Sequence, residues 1–246
     1  MRYRILKKLS IAAFIAAAFG IMYYFMSLQY PFHWNVVPAH YLKLYFLGLL
    51  MTLKISLVSI VISFVIGVFG GIMKVSKSET LRDLSGLYVV FFRNIPLLVV
   101  ILLVYYGVGT LVNIPRFWAA VLALSTFEGA YVIEIVRAGI QSIPKEQFET
   151  AEALGLSPKE RFFDVILPQA FRNSLPSLTG QFISLVKDSS LASVIAISEL
   201  TQRGTQVATM ALASFESYIT VALMYFTLTY VLSFLSNVIE RRLAIP

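Results

Sequence analysis

A chain of 246 residues that is 58% hydrophobic and only 13% charged, with a mean hydropathy of +0.79, is too apolar for a soluble domain and holds runs long enough to cross a bilayer. Its net charge of +7 therefore belongs to membrane topology and anionic lipid, not to nucleic acid. Without cysteine these residues can form no disulfide, thiolate metal site or cysteine nucleophile, and two histidines in one short loop, His33 and His40, make a poor metal site.

Six spans are predicted, at Leu9–Leu28, Tyr45–Met73, Leu87–Val112, Phe117–Ile140, Leu175–Ser198 and Ser217–Val238, each compatible with the roughly 20 residues a spanning helix needs. The first reads as an uncleaved anchor and not a signal peptide, because its apolar run is long, ends in aromatics and lacks a small-residue cleavage site. The loop Tyr30–His40 carries prolines and interfacial aromatics and is expected to lie along the outer membrane surface. In the second span Gly67, Gly70 and Gly71 allow a neighbouring helix to approach closely, and Lys54 is expected to snorkel or pair with a neighbour.

In the third span Pro96 must kink the helix, as a gate hinge or simply as fit. Just before it, Arg93 and Asn94 could neutralise a carboxylate on a transport path or clamp a helix end. The fourth span carries Glu128 beside Gly129 near its middle, then Glu134 and Arg137 three residues apart, where an intrahelical ion pair is the simpler reading.

Between the fourth and fifth spans, Pro144–Pro168 reads as two short helices outside the bilayer. Pro144 suits a first helical position, Glu146 a first turn, and Gly155 a left-handed stop. Ser157, Pro158 and Glu160 then form a capping box, and Pro168 is expected to close the second helix near Leu167. The resulting elbow shows too many apolar residues for a solvated loop, namely Phe148, Leu154, Phe162, Phe163 and Ile166, and should dock into another protein's groove.

The fifth span holds Lys187 and Asp188 among Ser184, Ser189, Ser190 and Ser193. Ionisable groups at membrane depth usually face protein or a watery path. Glu128, Lys187, Asp188 and Ser184, which offer both signs of charge, with Arg93 and Asn94 ranked behind them, are therefore candidate path residues. Pairing of Lys187 and Asp188 with other helices to hold the core together is the competing reading. Three embedded cations, Lys54, Arg93 and Lys187, against two deep acids, Glu128 and Asp188, leave a mild positive bias that would suit a dicarboxylic solute, of which glutamate and aspartate are examples.

Basic residues fix the orientation. With the first eight residues cytoplasmic, fourteen Lys and Arg fall on that side, three on the other (Lys43, Arg116 and Arg203), and three inside spans. Both termini and the elbow are thus expected in the cytoplasm. No internal repeat or soluble domain is found, so residues 1–43 form an anchor and extracytoplasmic loop, and 44–246 one helical membrane domain with its coupling loop at 141–175.

Glu149, Ala151, Gly155, Val165, Leu167 and Pro168 sit at the spacing of the "EAA" loop of ATP-binding cassette importer permeases, with Thr150 in place of the middle alanine and Val165 in place of isoleucine. LYVVFFRNIPLLV, EIVRAGIQSIP, LPQAFRNSLPSL, FISLVKDSSLASVIA and the C-terminal ERRL extend the likeness, so that about 200 residues from Tyr45 onward resemble the polar amino-acid permeases of that class.

The resemblance implies an all-α integral membrane fold with a five-helix permease core, here preceded by one extra N-terminal transmembrane helix, in a bacterial inner membrane. It implies an importer working by alternating access, with two cytoplasmic ATPase subunits carrying the ATP and magnesium, a second permease chain, an extracytoplasmic solute-binding protein and an amino-acid solute. The chain itself would be no enzyme and hold no cofactor, in keeping with the absence of a phosphate-binding G-x-x-x-x-G-K-[ST] loop. The coupling residues would be Glu149, Ala151, Gly155, Phe162, Phe163, Leu167 and Pro168. A secondary carrier would bring inverted repeats that are not seen, and a purely structural subunit would leave the elbow and the embedded charges without a task.

Overall fold

A computed structural model of the chain describes residues 2–243, without the side chains of several residues near each end. Arg2, Arg4, Lys8, Arg241 and Arg242, which enter the topology count, have their side chains outside the described residues. The described chain is helical and contains no strand. Helix α1 covers Arg2–Ser27, α2 Leu42–Lys74, α3 Glu79–Arg93, α4 Leu97–Leu102, α5 Gly109–Val112 and α6 Arg116–Gln141. Then come α7 (Lys145–Ala153), α8 (Pro158–Glu160), α9 (Leu167–Asp188), α10 (Leu200–Ala211) and α11 (Ser214–Leu243).

Three helical segments among the described residues are long and apolar enough to cross a membrane, Ala39–Lys74, Arg116–Gln141 and Ser214–Glu240, and they correspond to the second, fourth and sixth predicted spans. The third prediction, Leu87–Val112, requires correction. Helix α3 starts at Glu79 and ends at Arg93, and Leu97–Val112 leaves it at an angle of 100°. Proline removes a backbone donor and disfavours helix in the residue before it, so the chain breaks at Asn94–Pro96 instead of kinking. The fifth prediction, Leu175–Ser198, is also displaced. Helix α9 starts at Leu167 and gives way after Asp188 to a tighter turn over Ser189–Ile195, which ends with Ala196 in the left-handed region at φ 59°. Helix α10 then forms where none was foreseen.

Close packing of α2 against α6 makes the centre of the bundle. A Cβ built on Gly67 would lie 2.1 Å from Val132 Cγ1, one on Gly70 2.4 Å from Ile133 Cδ1, and one on Gly71 2.6 Å from Val136 Cγ1. Lipid supplies no hydrophobic drive between helices, so dispersion across such an approach must hold the pair. The glycines therefore serve packing, as their spacing suggested. Ile55, Ala119, Ala120, Ala123 and Leu124 continue the buried seam toward α4.

Buried acids pin the opposite end of the molecule. Glu199 caps α10 by accepting from the Gln202 and Thr201 amides at 2.7 and 2.8 Å, and it also accepts from the Tyr225 hydroxyl at 2.8 Å. Glu216, in the first turn of α11, accepts from the Tyr30 hydroxyl at 2.9 Å and from the His33 amide. The loop Tyr30–His40 is thus strapped to α11, with Phe32 also packed on Phe215 at 5.5 Å between ring centroids. Tyr45 and Ser217 hydroxyls lie 2.6 Å apart, and Ser217 donates onward to the Gly204 carbonyl at 2.7 Å.

A Gly67→Val chain is expected to lose about 1–3 kcal/mol through overpacking, and Val132→Ala in the same chain should recover part of it. Thermal unfolding in detergent checks this, and an unchanged midpoint for Gly67→Val would contradict the close approach.

Candidate functional site

Two sites lie at different points along α6. The first is buried. Glu128, about twelve residues into the helix and hence roughly 18 Å along it at 1.5 Å per residue, has no exposed surface. Gln181 Nε2 of α9 donates to its Oε2 at 2.6 Å, whereas Oε1 has no hydrogen-bond partner among the described residues. Asp188, at the last turn of α9, is near enough for the two carboxyl groups to interact. A fully buried carboxylate oxygen without a donor is costly unless something else supplies one. Gly129 keeps the approach to α2 and α3 close, since a Cβ there would meet Ile66 Cγ2 at 2.7 Å and the Tyr88 hydroxyl at 3.3 Å.

The remaining predicted path residues are not gathered here. Lys187 is exposed, as consecutive helical positions require once Asp188 turns inward. Ser184 is partly buried on α9. Arg93 is exposed, with its guanidinium 5.1 Å from the centre of the Tyr131 ring, and Asn94 donates at 2.7 Å to the Val90 carbonyl, closing α3. Lys54 is exposed and sits 5.6 Å from the Phe117 ring centre. All three cations face outward over aromatic rings or open surface, while both acids turn in. The Glu134–Arg137 ion pair is present at 2.6 Å, with Arg137 Nη1 also donating to Gln141.

The second site is the elbow. Pro144 stands just ahead of α7, one position earlier than expected. Helix α7 ends in a left-handed Gly155, φ 78°, whose amide donates to Glu152 while the Leu156 amide donates to Ala151, the paired bonds of a glycine-terminated helix. The capping box is complete. The Glu160 amide donates to Ser157 Oγ at 3.3 Å, and the Ser157 amide donates to Glu160 Oε2 at 2.8 Å. These Ser157 side-chain and backbone contacts hold the exposed Glu160 carboxyl below the usual carboxylate range. The cap is therefore kept at neutral pH and lost only as pH falls through that lowered value.

Pro168 does not close the second helix. The chain passes from α8 through a wide π-helical turn, Arg161–Ile166, into α9, with Pro168 in that helix's first turn. A wider turn relieves the clash of a proline ring with the preceding carbonyl, so the path stays helical.

The elbow has two faces. Ile166 is fully buried and Ala151 nearly so, and Ile166 packs with Ala170 against Val132, Val136, Ile140 and Ile143. Ile166 is accordingly removed from the exposed set, and Phe162 is only partly exposed. Leu154 is 75% exposed, Phe163 52% and Phe148 37%, and Glu149, Gly155 and Pro168 are also open to the surface, with Leu167 intermediate. A 2.7 Å ion pair from Arg161 to Glu152 ties the two arms together, and Asn173 Nδ2 donates to Ser142 Oγ at 3.0 Å at its base. The elbow is fixed on the bundle side and apolar on the free side. Gln181 was not among the predicted site residues. Its position seven residues before Asp188 on one helix face was the available signal.

Residues 63–245 match the family described as binding-protein-dependent transport system inner membrane component. The arginine transport system permease protein ArtQ of Bacillus subtilis (strain 168) is 37% identical over 198 residues, covering 80% of this chain and 90% of that protein. The L-cystine transport system permease protein TcyB of the same organism is 35% identical over 212 residues, covering 85% and 91%. A putative glutamine transport system permease protein GlnP of Rickettsia bellii (strain RML369-C) is 36% identical, covering 80% and 92%.

Among solved structures, a chain of an amino acid ABC transporter crystallised with histidines is 38% identical and superposes with a TM-score of 0.78 over 83% of this chain and 96% of its own. A chain of the inward-facing MetNI methionine ABC transporter superposes at 0.74 with 23% identity, over 82% and 97%, a likeness of fold. This chain belongs to the family of binding-protein-dependent transport system inner membrane components, the permease subunits of ATP-binding cassette importers.

Proposed function

We propose that the chain is the permease of an ATP-driven importer for a polar amino acid, with residues 44–246 forming a five-helix core and residues 1–43 an added anchor and outer loop. Its termini and elbow lie in the cytoplasm of a multi-pass inner-membrane protein. A second permease chain, two ATPase subunits that bind ATP and magnesium, and an extracytoplasmic solute-binding protein complete the machine. The amino-acid permeases among its relatives support this reading.

Two-faced construction of the elbow carries the proposal. Leu154 and Phe163, with Glu149 beside them, present an apolar hook with one charge to a cleft in the ATPase. Ala151, Phe162, Leu167 and Pro168 hold that hook on α6 and α9. Closure of the ATPase dimer would then pull both helices as levers and drive alternating access.

At the other site, Glu128 and Asp188, with Gln181 donating to Glu128, form the part of the path that accepts the solute's ammonium group, a reading supported by the buried Glu128 oxygen that lacks a donor among the described residues. Ser184 would lie along the same path. An inward acidic pair suits the ammonium common to all α-amino acids and gives no advantage to an acidic side chain. The geometry thus favours a neutral or cationic solute over the glutamate or aspartate drawn from the charge count.

Reconstituted with its ATPase and binding protein in proteoliposomes, the chain should take up an amino acid only with ATP inside the ATPase compartment. Uptake that needs no ATP and collapses with an ionophore would refute the assignment. Glu128→Gln with Asp188→Asn should cut uptake by tenfold or more while the complex purifies at normal yield, and uptake equal to wild type would remove these residues from the path. Gly155→Val, which pays about 1–2 kcal/mol for the left-handed backbone, and Glu149→Lys should each weaken copurification of the ATPase without affecting membrane insertion. Normal yield and coupling in both would displace the docking site from the elbow.

A further inference from the structure

Between the α2–α3 turn and the elbow lies an open cavity of about 710 Å³ whose walls carry five cations, Lys74, Lys77, Arg82, Lys145 and Arg161. Two of them have partners, Arg82 with Glu79 at 3.8 Å and Arg161 with Glu152 at 2.7 Å. Lys74, Lys77 and Lys145 have no carboxylate within 4.0 Å among the described residues. Lys74 is half-buried, and its ammonium is drawn over α3 where Gly86 leaves room, since a Cβ at Gly86 would come within 2.8 Å of Lys74 Nζ. A partly buried ammonium without a counter-charge, with Lys77 on the same turn and Lys145 on the elbow side of the cavity, is repulsive unless an anion enters. Phe148 and Phe162 line the same space, so the site joins a cationic rim to an apolar wall.

We infer that this cavity is a phosphate-anion site that braces the elbow against the α2–α3 turn. A phosphate presents several acceptor oxygens to ammonium and guanidinium groups approaching from different walls, whereas a single carboxylate would satisfy fewer of them. Two sources carry this chemistry, the headgroup of an anionic phospholipid and free phosphate in solution. The aromatic wall formed by Phe148 and Phe162 favours the headgroup. The site is separate from Leu154 and Phe163, which do not line it.

The full chain with its partner subunits, stripped of lipid in detergent, is titrated with phosphatidylglycerol, phosphatidylcholine or inorganic phosphate. Thermal midpoint and retained lipid by native mass spectrometry are the readouts, neither of which depends on transport, so failure here leaves the transport assignment to its own test. Phosphatidylglycerol should raise the midpoint and remain bound, and the variant Lys74→Gln/Lys77→Gln/Lys145→Gln should bind it on the order of a hundredfold more weakly. Lys159→Gln/Arg172→Gln, which removes charge from exposed positions outside the cavity, should bind as wild type. A shift reproduced by inorganic phosphate, and lost in the triple variant, would uphold the site and assign it to soluble phosphate. Should the triple variant not fold, Lys77→Gln/Lys145→Gln, at two exposed positions, carries the same comparison. Equal binding by wild type and the cavity variants, or equal loss in the control pair, would overturn the proposal.

Discussion

Contact between the small-residue stripe of α2 and the β-branched face of α6 is the constraint on which the molecule rests. Gly67, Gly70 and Gly71 each admit one side chain of α6, Val132, Ile133 and Val136 in turn, so neither helix can slide or rotate without a collision. A helix held this way behaves as a beam. Upstream of the contact it presents Glu128, and downstream it runs into Ile140 and Ile143, against which Ile166 and Ala170 seat the elbow. One packing interface thus sets both the position of the buried carboxylate along α6 and the position of the elbow.

At the other end, apolar packing of Leu200, Val207, Ala213 and Val221, with Gly204 admitting Val221, is joined by polar anchors. Around α10 and the start of α11 the work is done by buried carboxylates with several donors each, Glu199 among two amides and a phenol, Glu216 among a phenol and an amide. Fully satisfied acids of this sort fix one arrangement of α10 against the first turn of α11 and the loop before α2. Glu128 differs from them in a single respect. One of its oxygens has no donor among the described residues, and the Asp188 carboxyl lies close to it.

Long apolar periodic segments and local capping chemistry were legible in the sequence. The second, fourth and sixth spans, the Ser157–Glu160 box, the left-handed Gly155 and the Glu134–Arg137 pair all follow from residues close in the chain. Features that depend on distant partners were not. Pro96 was read as a kink, yet the break is 100° because both arms have other helices to pack on. Pro168 was read as a stop, yet the π turn before it lets the helix continue. Lys187 and Asp188 were weighed together, although a step of 100° around the helix puts only one of them beside Glu128. Ile166 looked like part of an exposed apolar set until the end of α6 was placed over it.

An elbow anchored on α6 and α9 would seat its free apolar face in an ATPase. Because the native chain has no cysteine, single cysteines at Phe163, Leu154 and Ile166 can be tested for crosslinking to the ATPase in native membranes. The account predicts crosslinks from the Phe163→Cys and Leu154→Cys chains and none from Ile166→Cys. Labelling of Phe163→Cys by a lipid-phase reagent, or from the extracytoplasmic side, would contradict it.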